Sequence, residues 1–299
     1  MNNVNSFLHS VTGIMIPLLL AASGGLFTEL AGMLNIALEG LLLTGAFFAV
    51  VLVHYTGSLA LGIAGAVLGA MLLSAILALT TLKLRSNVFI TGLAANLFAS
   101  GLTVVLSRKL FGTRGVVIPG RMPDLRSLNV PPPGDLPVIG GIFSGHSFYV
   151  YICAVILFAS WLVIYKTPFG FRLRACDKHA QALVSLGLRP DTYRFAAFLA
   201  SGFACGLGGS FLSLNIGAFV PNISAGKGWI ALVVIFLGGR KPLGVLPAAF
   251  VFGLTDAFSN HAQEFFNGPA DFVLALPYLL TLLVMTGISA AAKQKTKVS

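Results

Sequence analysis

A chain of 299 residues with 57% hydrophobic and only 9% charged residues is not an ordinary soluble domain, where about a quarter of residues are charged. Its formal charge of +10 is not a nucleic-acid signature either, because the basic residues fall between apolar runs and near the C-terminus instead of along one stripe. Cys153, Cys176 and Cys205 show no CxxC spacing, which argues against a redox or zinc motif.

In chain order, apolar runs at about 11–28, 38–54, 59–82, 87–107, 148–165, 195–218, 243–260 and 270–292 predict membrane spans. Without water, backbone polar groups must pair within the segment, so these spans are helices and the fold class is an all-α polytopic membrane protein. The first ten residues hold no Lys or Arg, so the opening run reads as a retained span and not a cleaved signal. In the 148–165 run, Phe148, Tyr149 and Tyr151 mark one interface and Trp161 and Tyr165 the other. One segment is too short: Trp229–Gly239, "WIALVVIFLGG", reaches about 16 Å across a core of about 30 Å. It follows Pro221, Gly226 and Gly228, so it predicts a broken or re-entrant passage beside a cavity.

Charge sets the orientation. Thirteen basic residues fall in the segments around Lys83/Arg85, Lys166–Arg194, Arg240/Lys241 and Lys293–Lys297, against six at Arg108, Lys109, Arg114, Arg121, Arg126 and Lys227. The richer side is cytoplasmic by the positive-inside rule, and the alternation closes with an outside N-terminus, a cytoplasmic C-terminus and about nine crossings. The Pro/Gly-rich loop at about 108–147 is then external and too long for a simple turn.

The stretch "GFRLRACDKHAQALVSLGLRP" (170–190) concentrates charge in this apolar chain. Thr167-Pro168 suits a helix start, and Gly187 followed by Pro190 suits a stop. On a helix over about 170–187, Leu173, Cys176, Ala180, Leu183, Val184 and Gly187 share one face. Arg174, Asp177, Lys178, Gln181 and Ser185 share the other. Such a helix lies at the cytoplasmic surface, either as a passive interfacial element or as a docking surface.

Polar residues inside the spans are the candidates for a solute path. Asn35 and Glu39, four apart, share a face; Glu39 has a structural alternative, as an acceptor for helix N-termini. Glu29 reads as structural first. Asn96, at mid-span beside Phe98, is favoured over Asn87 and Thr91 as pathway-lining, and Asn215 joins it from the end of the sixth run. Asp256 falls near the outer end of the eighth span, and His261 with Glu264 lacks the second helical histidine of a zinc site. Phe47, Phe48, Phe98, Phe203, Phe211 and Phe219 could present rings to a flat solute or pack against lipid. No GxxxxGK[ST] exists to cradle ATP phosphates, and "GLGGS" (206–210) reads as close helix packing.

"FTELAGMLNIALEGLLLTGAFFAV" (27–50) and "TPFGFRLRACDKHAQALVSLGLRPDTYRFAAFLASGFACGLGGS" (167–210) resemble the permease subunit of ABC importers. The nearest group is the branched-chain amino acid, simple sugar and nucleoside permeases, and within it the nucleoside-type members. The likeness covers nearly the whole chain and implies one transmembrane permease domain, 1–299, of the type II importer kind, in the inner membrane. It implies a coupling helix in which Gly170, Arg172, Arg174, Ala175, Asp177, Lys178 and Gln181 meet a separate ATPase. Gly170, Arg172, Leu173, Arg174 and Ala175 match the family pattern, while "CDKHAQA" departs from it. In the first motif Glu29, Asn35 and Glu39 match, while Leu30 stands where an arginine is expected. Asn35, Glu39, Asn96, Phe98 and Asn215 are the candidate path. The implied partners are ATPase subunits, a second permease (the same chain or another) and an extracytoplasmic solute-binding protein. ATP belongs to the ATPase, and no cofactor or nucleic acid is called for. A nucleoside ranks first as solute, riboflavin second, and a simple sugar or an ion-coupled secondary transporter behind them.

Overall fold

The computed structural model describes residues 2–120 and 148–265, together with positions 279, 282, 283 and 286. Ten helices fill these stretches, and among the described residues no strand forms beyond one backbone bridge, Val117 to Phe219. They are α1 (Asn2–Leu30), α2 (Leu38–Thr56), α3 (Leu59–Leu82), α4 (Val88–Phe111), α5 (Phe148–Lys166), α6 (Pro168–Lys178), α7 (Ala180–Ser185), α8 (Pro190–Ile216), α9 (Lys227–Leu237) and α10 (Pro242–Phe265). Seven are long and apolar enough to cross a membrane: α1 from Ser10, α2, α3, α4, α5 from Tyr149, α8, and α10 to Asn260. The run at 270–292 and most of the 108–147 loop lie outside the described residues.

The core is built on α1, α2 and α8, whose apolar windows are 78%, 78% and 72% buried, whereas α4 is only 17% buried. Small residues allow this. A Cβ on Gly206 would press on the Val67 backbone, and one on Gly209 would strike the backbone of Leu42 and Ala46. Glycine in "GLGGS" therefore lets α8 sink between α2 and α3, the kind of close approach that substitutes for a hydrophobic drive inside lipid.

Two expectations change. Tyr149 is not an interface marker: it is fully buried, stacks edge-on against Phe211, and shares a 2.8 Å hydrogen bond with Ser210 of α8. The 170–187 helix is two helices, α6 and α7, hinged at His179 (φ −127°, ψ 36°). A continuous helix would need Ala180 N–H on the Cys176 carbonyl. Arg194 of α8 donates to that carbonyl instead, at 2.9 Å.

Candidate coupling surface and intramembrane clamp

The end of the bundle that carries α6 also carries the last turn of α1, the end of α3, the start of α8 and the end of α9. Thr167 caps α6 by accepting from Gly170 N–H at 3.2 Å, and Pro168 starts it. Gly170 is needed because any Cβ there would strike the carbonyls of Val163 and Ile164 in α5. Leu173, Cys176 and Leu183 are buried, as the amphipathic pattern requires, but Val184 and Gly187 are exposed once the chain bends at His179. Arg172 reaches Tyr193 hydroxyl at 3.2 Å, and the Arg174 guanidinium lies 5.0 Å from the Tyr165 ring centre. Ala175 is half-buried, while Asp177, Lys178 and Gln181 are exposed. Phe171, Val184 and Leu186 project at 70%, 61% and 75% exposure, which gives this end apolar knobs among charges.

What fastens this surface to the bundle is a residue that sequence reasoning passed over. Besides the Cys176 carbonyl, Arg194 donates to the Ala31 carbonyl at 3.4 Å and pairs with Asp191. One guanidinium thus joins α6, the turn after α1, and α8. Asp177 also touches that turn, since a Cβ on Gly32 would sit 2.9 Å from its carboxylate oxygen. The one sequence signal was an arginine in the first turns of α8 three residues after an acid, which looks like ordinary surface charge. Burial, relieved in part by Arg194, raises the Cys176 thiol pKa and keeps it protonated near neutrality.

From that turn the chain re-enters the membrane, and polar residues pin it there. Asn35 Nδ2 donates to Ser201 Oγ at 2.9 Å, while its Oδ1 accepts from Ala37 N–H. Asn96 of α4 accepts from Gly40 N–H at 2.7 Å and donates to the Ile36 carbonyl at 3.0 Å, so both ends of its amide hold the start of α2. Glu39 accepts from Ser224 hydroxyl at 2.6 Å, from Gly226 N–H at 2.8 Å and from Gly228 N–H at 2.7 Å. These are the orphan donors at the N-terminus of α9, whose positive dipole end also favours the carboxylate. Gly228 makes the crossing possible, because a Cβ there would collide with Glu39 backbone.

Asn35, Glu39 and Asn96 therefore act as clamps between helices, and their bonding groups face protein. Phe98 stands apart, 54% exposed on the periphery of α4. Asn215 alone of the five lines a cavity described below. Asn87 caps α4, accepting from Phe89 N–H, and Thr91 bonds back to the Asn87 carbonyl. Phe47 and Phe219 are core residues whose rings meet edge-on at 5.2 Å, and Phe211 is buried beside Tyr149. The arginine missing at position 30 arrives from afar: Arg240, after α9, pairs with Glu29 at 2.8 Å. Lys227 lies in a helix and not in a loop. It opens α9, about 16 Å from that helix's surface end. His261 and Glu264 fall in the last described turn, and their side chains lie outside the described set.

Among the described residues no cluster of His, Cys, Asp or Glu could hold a metal ion; the arrangement is an outward-facing charged surface joined to a deep clamp. Residues 7–285 match the family described as branched-chain amino acid transport system / permease component, and the chain belongs to that family. It is 34% identical over 289 residues to the guanosine ABC transporter permease protein NupQ of Bacillus subtilis, covering 92% of this chain and 89% of that one. It is 32% identical over 300 residues to the nucleoside ABC transporter permease protein NupC of Lactococcus lactis, covering 95% and 93%. A solved inward-facing ABC transporter, described as metal-chelate type, shares the fold with a TM-score of 0.55 at 15% identity, over 93% of this chain and 85% of that one.

Proposed function

We propose that this chain is the membrane-spanning subunit of an ABC importer that takes up nucleosides. The observation that carries the reading is the similarity to two nucleoside-type permeases over at least nine-tenths of the chain. The surface of α6 and α7, with its charges and exposed Phe171, Val184 and Leu186, suits docking of a separate ATPase. Closure of the ATPases would press on α6; Arg194 and the turn at 31–37 would carry that push to α2 and, through Glu39, to α9. The chain itself supplies a path and a lever, with ATP handled elsewhere. A second permease subunit and an extracytoplasmic binding protein complete the machine.

The same reading puts α6 and α7 in the cytoplasm, the N-terminus outside, and α9 as the short member of about nine passages. Lys83, Arg172, Lys178, Arg189 and Lys241 at the α6 end support it by the positive-inside rule. The test is uptake by a reconstituted complex with its ATPase and binding protein, using labelled guanosine, riboflavin, ribose and leucine. Saturable uptake of guanosine, competed by other nucleosides, is expected. Uptake of riboflavin, leucine or ribose without guanosine would overturn the reading.

A further inference from the structure

On the side away from α6, helices α1, α5, α8, α9 and α10 enclose an open cavity of about 440 Å³, the size of a small-molecule site. Its walls include Phe211 and Ile14, but besides Ser10 of α1 four polar groups converge on it. Asn215 comes from α8, Asn260 from α10 and Lys227 from α9. The fourth is the Gly13 carbonyl: Pro17, also in the wall, has no N–H to give it, so the helix withholds that carbonyl's usual donor. The space beside Gly13 is open, with no atom within 4 Å of where a Cβ would stand.

Lys227 is the informative member. Eleven residues of α9 put it about 16 Å from the Arg240–Glu29 end, near the middle of a core about 30 Å thick. An ammonium at that depth is costly and marks function unless it is compensated. Glu39 supplies the compensation, because it accepts the N–H groups of Gly226 and Gly228 on either side of Lys227. The carboxylate's bonds go to the backbone and Ser224, so the pair is neutral overall, and among the described residues no acceptor engages the Lys227 ammonium at the cavity wall. A carboxylate or phosphate on the solute would leave the site with net negative charge at low dielectric. A neutral solute rich in acceptors would not.

We infer that this cavity is a solute-binding subsite inside the single subunit. There Lys227 donates to a carbonyl oxygen or ring nitrogen of a neutral heterocycle, and Asn215 and Asn260 bond its remaining polar edge. The inference rests on the nucleoside reading above and sharpens it. Bases with exposed carbonyl oxygens, as in guanosine, inosine and uridine, fit the ammonium best.

The test is uptake kinetics in complexes that assemble with their ATPase and binding protein. Lys227→Met should raise the KM for guanosine about tenfold or more, the scale of a lost charged hydrogen bond. Because Lys227 begins α9, a second variant on another helix guards against misfolding. Asn215→Leu, at an exposed position of α8, fills the cavity without touching the Glu39 cap and should raise KM similarly. If the wild type transports guanosine and Asn215→Leu keeps its KM within about twofold, the subsite is refuted while the function stands. If the wild type takes up no nucleoside, it is the function that fails.

Discussion

Two polar regions of this protein differ in where their bonds go. In the clamp at 35–40, Asn35, Glu39 and Asn96 spend their hydrogen-bonding groups on Ser201, Ser224 and the backbone of α2 and α9. On α6 and α7, Asp177, Lys178 and Gln181 face outward, and apolar Phe171, Val184 and Leu186 stand uncovered beside them. Both looked functional in the sequence, since polar residues in an apolar chain invite that reading. The difference teaches that an internally saturated polar cluster holds shape, while one that leaves its groups outward keeps them free for the docking role proposed above.

The contrast breaks most visibly at Glu39. Glu39→Ala leaves two backbone N–H groups and a hydroxyl without their acceptor, which should cost about 3 kcal/mol or more. Thermal unfolding of the purified complex should show a large loss, with Glu39→Gln between alanine and wild type. Equal stability for all three would mean that the cap does not hold α9.

Arg194 belongs to both regions, so its effect should be intermediate. Arg194→Met removes the donors on Cys176 and Ala31 while preserving the length of the side chain. Stability should fall by about 1–2 kcal/mol, and substrate-stimulated ATP hydrolysis should fall several-fold more than that loss explains. Loss of stability alone would make Arg194 a brace and not a link.

Thiol labelling gives the smallest effect and tests geometry. Cys153, Cys176 and Cys205 are buried, and Cys176 is further protected by its raised pKa, because thiolate is the reactive form. In intact cells an impermeant maleimide should leave the wild type unlabelled and should miss a cysteine at Gln181. It should react with one at Arg114, exposed at the opposite end. Raising pH should speed labelling of Cys176 in permeabilised cells only as its thiolate forms, above the usual thiol range.

Much of this fold was legible because lipid leaves the backbone one economical solution. The seven apolar runs that fall on described residues became helices, the first of them starting well before its run, and Thr167-Pro168 and Gly187 bounded the surface stretch. The short passage after Gly226 emerged as α9. What stayed hidden depends on pairs far apart in the chain. Glu29 looked unpartnered because Leu30 replaces an arginine, yet Arg240 supplies the charge. The bend at His179 depends on Arg194 taking a carbonyl from another helix. Asn96 looked like pathway lining from its depth alone, and only the folded chain shows Ile36 and Gly40 waiting on either side of its amide. Lys227 was counted with loop charges because nothing local says that it opens a helix.

The most direct test of this division reverses charge on the outward-facing region and leaves the clamp intact. Arg174→Glu with Asp177→Lys should cost stability only modestly, about 1–2 kcal/mol, for the ring contact at Arg174 and the Asp177 contact with the turn at Gly32. Membrane insertion should be unchanged. Substrate-stimulated ATP hydrolysis by the assembled complex should nonetheless be lost. Normal stimulation in the double variant would contradict the account, because it would mean that the ATPase does not read this surface.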